Sequence, residues 1–280
     1  MECKIGDIRV YYEIYGEGIP VLMIHGWSVD HRLMKGCMEP VFKIQNDGWK
    51  RIYLDLPGMG NTKGADWLTS SDQMLEILLG FIDTVIPNEH FVLAGESYGG
   101  HLVRAIIHER PTMVDGLLLI CPSVGRSRAQ YMVLEKDEEL LRSLTEEEKQ
   151  DFQAEGINVI QNKRVWERYK EEIVPAFKMA DYQFLNHLSG EISFEVDSLK
   201  EPFQKPTLML AGRQDSRVGY QDLWNILDLY PRASLCILDK AGHDLQIEQA
   251  AIFTAAVKEW LDRVRAELSE PDTQNIYIVL

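Results

Sequence analysis

The feature that most constrains this chain is Phe91-Val92-Leu93-Ala94 running straight into Gly95-Glu96-Ser97-Tyr98-Gly99-Gly100 and on into the amphipathic stretch Tyr98–Glu109. A strand, a sharp turn and a helix in immediate succession leave the serine no relaxed backbone conformation. Small residues two before and two after it are needed because the chain packs against itself there. The turn lifts the hydroxyl clear of the strand and aims a helix N-terminus at it, where developing negative charge is favoured. A bare G-x-S-x-G arises often by chance; the strand before it and the helix after it make Ser97 a candidate nucleophile.

The same rhythm recurs on both sides of this element. Short apolar runs at Ile8–Ile14, Val21–His25, Arg51–Asp55, His90–Ala94, Gly116–Cys121, Thr207–Ala211 and Ser234–Leu238 alternate with stretches of helical spacing at Ser71–Val85, Tyr98–Glu109, Gln221–Leu229 and Gln249–Leu268. Most of the runs are apolar at successive residues, as strands buried on both faces are. The pattern predicts an α/β fold, a mostly parallel central sheet flanked by helices. The first run is less uniform and suits an antiparallel edge hairpin with the residues around Cys3. From about Gly125 to Lys200 the strand pattern vanishes and charged helical stretches replace it, with Thr145 and Glu148 spaced as a capping box. This predicts a core of residues 1–124 and 201–270, a helical insertion at 125–200 and a C-terminal tail at 271–280.

A serine hydroxyl is a weak nucleophile at neutral pH and needs a base held by a third group. Of seven histidines, His243 follows the last strand run in Ala241-Gly242-His243-Asp244, a loop with a glycine beside it. His101, His108 and His187 lie in helical segments, and His31 and His90 have no partner legible in the sequence. For the acid, Asp215 follows the preceding strand in Gly212-Arg213-Gln214-Asp215, with Asp239, Asp244 and Asp222 as competitors. A tetrahedral intermediate also needs two backbone N–H donors. Tyr98, next to the nucleophile, supplies one, and Trp27 in the turn His25-Gly26-Trp27 supplies the other, its indole left to wall the pocket.

Together His25-Gly26-Trp27, Asp55-Leu56-Pro57-Gly58-Met59-Gly60, the Ser97 turn, the Asp215 loop and the His243 loop resemble the α/β-hydrolase superfamily, and within it the lidded esterases, carbon–carbon bond hydrolases and epoxide hydrolases. The resemblance implies that 125–200 is a cap over the site. It also implies acyl chemistry, since relatives of the dehalogenase and epoxide hydrolase type carry an aspartate where this chain has Ser97. The expected activity is hydrolysis of a small carboxylic ester or similar acyl compound. Cleavage of a vinylogous diketone is a rival, with Arg104, Arg126 and Arg128 as candidate anchors for a dienoate carboxylate. A binding or sensory module on the same fold is another. Expected substrate contacts are His25, Trp27, Trp166, Tyr169 and Phe184, with Phe177 and Tyr182 as further cap aromatics. No metal or organic cofactor is called for, and a homodimer is common among such relatives.

Composition narrows the partners. Apolar residues at 45% and charged residues at 26% suit a folded globular chain, and a formal charge of −15 repels phosphate backbones, so nucleic acid is not expected. No apolar run is long enough to span a bilayer and no signal-like segment opens the chain, so a cytoplasmic protein without membrane contact is expected. Cys3, Cys37, Cys121 and Cys236 are scattered without a C-x-x-C pair and are expected to be buried free thiols.

Overall fold

A computed structural model describes residues 1–45, 47–125, 127–153 and 158–269. In chain order its strands are β1 (Glu2–Ile5), β2 (Ile8–Tyr15), β3 (Ile19–Ile24), β4 (Trp49–Leu54), β5 (Phe91–Glu96), β6 (Val114–Ile120), β7 (Glu135–Lys136), β8 (Ile160–Gln161), β9 (Thr207–Gly212) and β10 (Ala233–Leu238). The helices are α1 (His31–Phe42), α2 (Ser71–Val85), α3 (Tyr98–Glu109), α4 (Glu138–Ser143), α5 (Glu146–Gln153), α6 (Lys163–Glu172), α7 (Val174–Met179), α8 (Tyr182–Leu185), α9 (Leu223–Ile226), α10 (Leu245–Glu248) and α11 (Ala250–Ser269). Eight strands form one sheet in the order β1-β2-β4-β3-β5-β6-β9-β10. From β4 to β10 all pairings are parallel, and β1 and β2 form the antiparallel edge hairpin with Cys3 opposite Val10.

Burial on both faces explains the continuous apolar runs. Val21 and Met23 of β3, Val92 and Ala94 of β5, and Leu208 and Leu210 of β9 join the core beneath α1 and α11. Their neighbours Leu22, Ile24, Phe91, Leu93, Met209 and Ala211 point the other way, into the core beneath α2 and α3. Each fully buried aliphatic side chain contributes roughly 1.5–3 kcal/mol, so polar substitution on either face is costly. The helices carry local stop and start signals as well: Ser70 caps α2, with Gln73 closing a reciprocal box.

The chain goes from β3 outward to β4, then crosses to β5 on the other side of β3. The strand order reverses here, and a crevice opens at the carboxyl ends of β3 and β5, the usual ligand site of such sheets.

Three expectations need correction. Helix α1 was not expected, because Gly36 and Pro40 interrupt it; yet Leu33, Met34, Cys37, Met38, Val41 and Phe42 form its buried stripe, and Asp30 caps its start. Gln221–Leu229 is not one helix but α9 followed by a short 3₁₀ turn at Leu227–Leu229. Asp222, placed to cap it, instead accepts hydrogen bonds from the Ser127 N–H (2.8 Å) and hydroxyl (3.0 Å), and the helix start is left without a side-chain cap. The stretch 125–200 is not devoid of strand: β7 and β8 form a two-residue parallel pair. Its helices α4 to α8 add no strand to the main sheet, and Thr145 and Glu148 exchange hydrogen bonds at the start of α5 (Glu148 N–H to Thr145 Oγ1 3.2 Å, Thr145 N–H to Glu148 Oε2 3.0 Å). Cys3, Cys37 and Cys121 are buried free thiols, while Cys236 is half-buried. The tail 271–280 and Arg126 lie outside the described residues. Among the described residues no helix is long and apolar enough to cross a membrane.

Candidate active site

Ser97 sits between β5 and α3 with φ 52° and ψ −114°, in a region that residues with a Cβ rarely occupy. Three hydrogen bonds hold it there: its N–H to Ile120 O (2.9 Å), and its carbonyl to the N–H groups of Ser123 (3.0 Å) and His101 (3.2 Å). The flanking glycines are dictated by contact. A Cβ on Gly95 would lie 2.5 Å from Gly99 O, and one on Gly99 would lie 2.3 Å from Ile24 O. Close packing of β5, α3 and the end of β3 therefore sets the G-x-S-x-G spacing.

The other two residues arrive on loops after β9 and β10. A Cβ on Gly212 would lie 2.1 Å from Gly242 O, so its absence lets the two loops touch. His243 Nε2 lies 2.9 Å from Ser97 Oγ, and His243 Nδ1 lies 2.9 Å from Asp215 Oδ2. Asp215 is fully buried, and its Oδ1 accepts the N–H groups of Arg217 (2.8 Å) and Val218 (3.1 Å). Burial would raise its pKa, but His243 and these two N–H donors outweigh it and hold the carboxyl below its usual range. For His243, burial favours the neutral imidazole, but the Asp215 carboxylate, with Glu96 and Asp244 adding, raises its pKa to about 9.

These side chains line a cavity of about 220 Å³ walled by Trp27, Ser28, Val29, Leu33, Glu96, Ser97, Ile173, Phe177, Arg217, Val218, His243 and Asp244. Tyr98 begins α3 directly behind Ser97; its hydroxyl shares a 2.7 Å hydrogen bond with Ser71 Oγ and its ring meets Trp27 edge-on at 5.1 Å. Of the expected substrate contacts, Trp27 and Phe177 are on the wall. His25 is not: it is fully buried, its Nδ1 2.8 Å from Gly26 O and its Nε2 accepting the Leu56 N–H at 2.9 Å, and it ties the Gly26 turn to the loop after β4. Burial lowers its pKa, in keeping with a neutral ring that donates at one nitrogen and accepts at the other. Trp166 and Tyr169 turn inward to pack on Phe152 at 5.0 and 5.8 Å, and Phe184 packs against Gly58 and Gly64 in a separate groove. Tyr182 is exposed, away from this cavity.

The candidate carboxylate anchors also fall elsewhere. Arg104 is buried against Asp197 and Ser123 O (2.7 Å), and Arg128 donates to Gly125 O (3.2 Å), Ser127 O (2.8 Å) and Val218 O (3.2 Å). Neither lines the cavity, whereas Arg217, which sequence reasoning passed over, does. Asp215's competitors have other places. Asp244 lies in the wall, its pKa raised to about 6 by burial and its Oδ2 without a hydrogen-bond partner; Asp239 accepts from Gln214 Nε2 at 2.9 Å; and Asp222 holds Ser127. His31 and His90 do have partners, Asp55 at 2.7 Å and Asp115 at 3.1 Å.

Sequence reasoning also missed Glu248 and assigned no role to Glu96. Glu248 is buried and accepts the N–H groups of Gly242 (2.5 Å), Val159 (2.6 Å) and Ile160 (2.9 Å), which fastens the His243 loop to the inserted segment. No motif marks such an acid in the sequence.

Among the described residues, two clusters hold atoms of metal-ligand type within 4.8 Å of one another, Cys121–Asp215–His243 and Asp30–His31–Asp55. In the first, the imidazole and carboxylate already bind each other, and burial keeps the thiol protonated by raising its pKa far above its usual value. In the second, Asp30 binds Arg32, and Asp55 accepts from His31 and from the Asn61 N–H (2.8 Å). Both donor sets are satisfied without an ion.

The chain as a whole is similar to known proteins. Residues 19–250 match a family described as alpha/beta hydrolase fold. A pimeloyl-[acyl-carrier protein] methyl ester esterase from Legionella pneumophila is 29% identical over 116 residues, which is 41% of this chain and 43% of that protein. A 2-hydroxy-6-oxononadienedioate/2-hydroxy-6-oxononatrienedioate hydrolase from Burkholderia vietnamiensis is 26% identical over 92% of each chain. Among solved structures, an alpha/beta superfamily hydrolase from Oenococcus oeni superposes with a TM-score of 0.83 at 28% identity, covering 91% of this chain and 96% of that one.

Proposed function

Because this chain belongs to the alpha/beta hydrolase fold family, we propose that it is a serine hydrolase that cleaves a small carboxylic ester or related acyl compound through an acyl-enzyme on Ser97. The observation that carries the reading is the unbroken chain of hydrogen bonds, Ser97 Oγ to His243 Nε2 and His243 Nδ1 to Asp215 Oδ2, each 2.9 Å, beside a cavity open to a ligand.

In this reading His243 takes the Ser97 proton at Nε2 as Oγ attacks the carbonyl carbon. Asp215 stays ionised and stabilises the imidazolium. The main-chain N–H groups of Trp27 and Tyr98 receive the oxyanion, helped by the N-terminus of α3. His243 returns the proton to the leaving alkoxide, and a water activated by the same nitrogen then releases the acid. A cavity of about 220 Å³ with Val29, Leu33, Ile173, Phe177 and Val218 on its wall suits a short apolar acyl group. Ile173 and Phe177 belong to the 125–200 stretch, which we assign as a cap on the 1–124 and 201–270 core.

The 92% alignment with a carbon–carbon bond hydrolase favours a second reading, cleavage of a vinylogous diketone. Against it stand Asp244 in the cavity wall and the absence of Arg104 and Arg128 from it. An anionic dienoate meets Asp244 there and has Arg217 and His243 as the cationic groups among the described lining residues. A panel of short p-nitrophenyl esters and dienoate diketones separates the two. Faster turnover of a short uncharged ester than of any dienoate, measured as kcat/KM, is the expected result; the reverse order would transfer the assignment to the diketone reading.

A further inference from the structure

We propose that Glu96 is a positioning residue of this site: uncharged, it holds the Gly26 turn against the nucleophile and leaves His243 free to act as base; charged, it draws a proton onto His243 and switches the base off. The inference rests on the assignment of Ser97 and His243 above.

Glu96 ends β5 and is 2% exposed, and among the described residues its ion-pair partner is the imidazole alone. Its Oε1 lies 3.4 Å from His243 Nε2, the nitrogen that also faces Ser97 Oγ at 2.9 Å. Its Oε2 fills the space beside Gly26, where a Cβ would lie 2.2 Å from that oxygen and 3.0 Å from Ser97 Cβ. One carboxyl therefore touches both the turn that carries Trp27 and the proton-accepting nitrogen. The groups facing it are His243 and Asp244 from the loop after β10, Asp215 from the loop after β9, Cys121 after β6 and Cys37 on α1.

Burial is the main influence on this carboxyl and raises its pKa to about 8, with Asp244 and Asp215 adding to the rise and His243 and the Gly26 N–H opposing it. His243, its own pKa raised to about 9, competes with the carboxyl for one proton, which the two groups share at neutral pH. In the productive form Glu96 carries that proton, His243 carries its own on Nδ1 toward Asp215, and Nε2 has a free lone pair for Ser97. Transfer of the proton from Glu96 to Nε2 gives a carboxylate and an imidazolium with the same total charge and proton count. Nε2 then has no lone pair, and Ser97 keeps its hydrogen. The two forms are tautomers of one protonation state, so the pair titrates as a unit.

A Glu96 carboxylate raises the pKa of His243, so Glu96→Gln, which keeps an oxygen for the Gly26 turn and removes the charge, lowers it. The acidic limb of kcat/KM is expected to move to lower pH by roughly one unit. Glu96→Ala loses the oxygen as well, and kcat is expected to fall on the order of 10- to 100-fold with KM little changed, with Glu96→Gln restoring most of it.

The decisive experiment follows the His243 ring nitrogens by ¹⁵N NMR across pH in wild type and Glu96→Gln, alongside the pH profile of an activated ester. A lower His243 midpoint in the variant supports the inference even if wild type turns over no ester, in which case the hydrolase assignment alone fails. Equal midpoints in an active enzyme overturn the inference and leave that assignment standing. Should the variant not fold, ¹³C titration of the Glu96 carboxyl in wild type decides: a protonated group at neutral pH supports the inference, and one already ionised well below neutral pH overturns it.

Discussion

Ser97→Ala is expected to lower kcat for an activated ester by on the order of 10⁴- to 10⁶-fold without unfolding the protein. Alanine keeps the Cβ, so the turn at φ 52° stays as strained as before, and the backbone bonds to Ile120, Ser123 and His101 do not involve the hydroxyl. What disappears is the Oγ 2.9 Å from His243 Nε2 that would form the acyl bond. A residual rate over solution is expected, since in the proposed mechanism the Trp27 and Tyr98 amides and the cavity wall still bind and polarise a carbonyl. Steady-state kinetics on matched preparations, with circular dichroism to verify folding, test this. A variant as fast as wild type would remove Ser97 from the chemistry.

Asp215→Asn is expected to cost about 10⁴-fold in kcat, more than the loss of one hydrogen bond would explain. The reason lies in the partners of the carboxylate. Oδ1 accepts the N–H groups of Arg217 and Val218, so an asparagine must place its carbonyl oxygen there. Its NH₂ group then points at His243 Nδ1, which has to accept. That forces the ring proton onto Nε2, where it faces Ser97 as a donor and cannot remove the hydroxyl hydrogen. The fold is expected to survive, because both loop N–H groups keep an acceptor. Normal activity in a folded Asp215→Asn variant, measured across pH, would show that another acid, Asp244 or Glu96, orients the histidine.

How much of this was legible in the sequence depends on whether a residue's role is local. The β5 strand, the Ser97 turn and α3 were legible because strand, glycine spacing and helix are consecutive and each is enforced by backbone contact, such as Gly99 against Ile24. Asp215 and His243 were legible as positions following strands, and the parallel order of β9 and β10 brings their loops together. Helix α1 was hidden by Gly36 and Pro40 although its apolar stripe has helical spacing; burial of that stripe on the sheet offsets the lost N–H of the proline. The α9 region failed for the opposite reason, since Asp222 looks like a cap but is taken by Ser127.

Aromatics of the inserted segment were the least legible. Trp166 and Tyr169 share a face of α6 that packs on Phe152, while Ile173 and Phe177, just beyond its end, face the cavity. Periodicity marks an apolar face but not whether protein or ligand covers it. The roles of Glu96 and Glu248 were invisible for a related reason. Each makes contacts across the fold, Glu96 with Gly26 and His243, and Glu248 with Val159 and Ile160, at sequence separations no motif spans.

Covalent labelling with a fluorophosphonate tests whether Ser97 is a nucleophile activated by His243 without any assumption about substrate. Wild type and His243→Ala, both verified as folded, are treated with the probe and analysed by intact mass and peptide mapping. A single adduct on Ser97 is expected in wild type, lost or slowed by orders of magnitude in the histidine variant. An unlabelled Ser97 in folded wild type, or equal labelling of both proteins, would contradict that assignment.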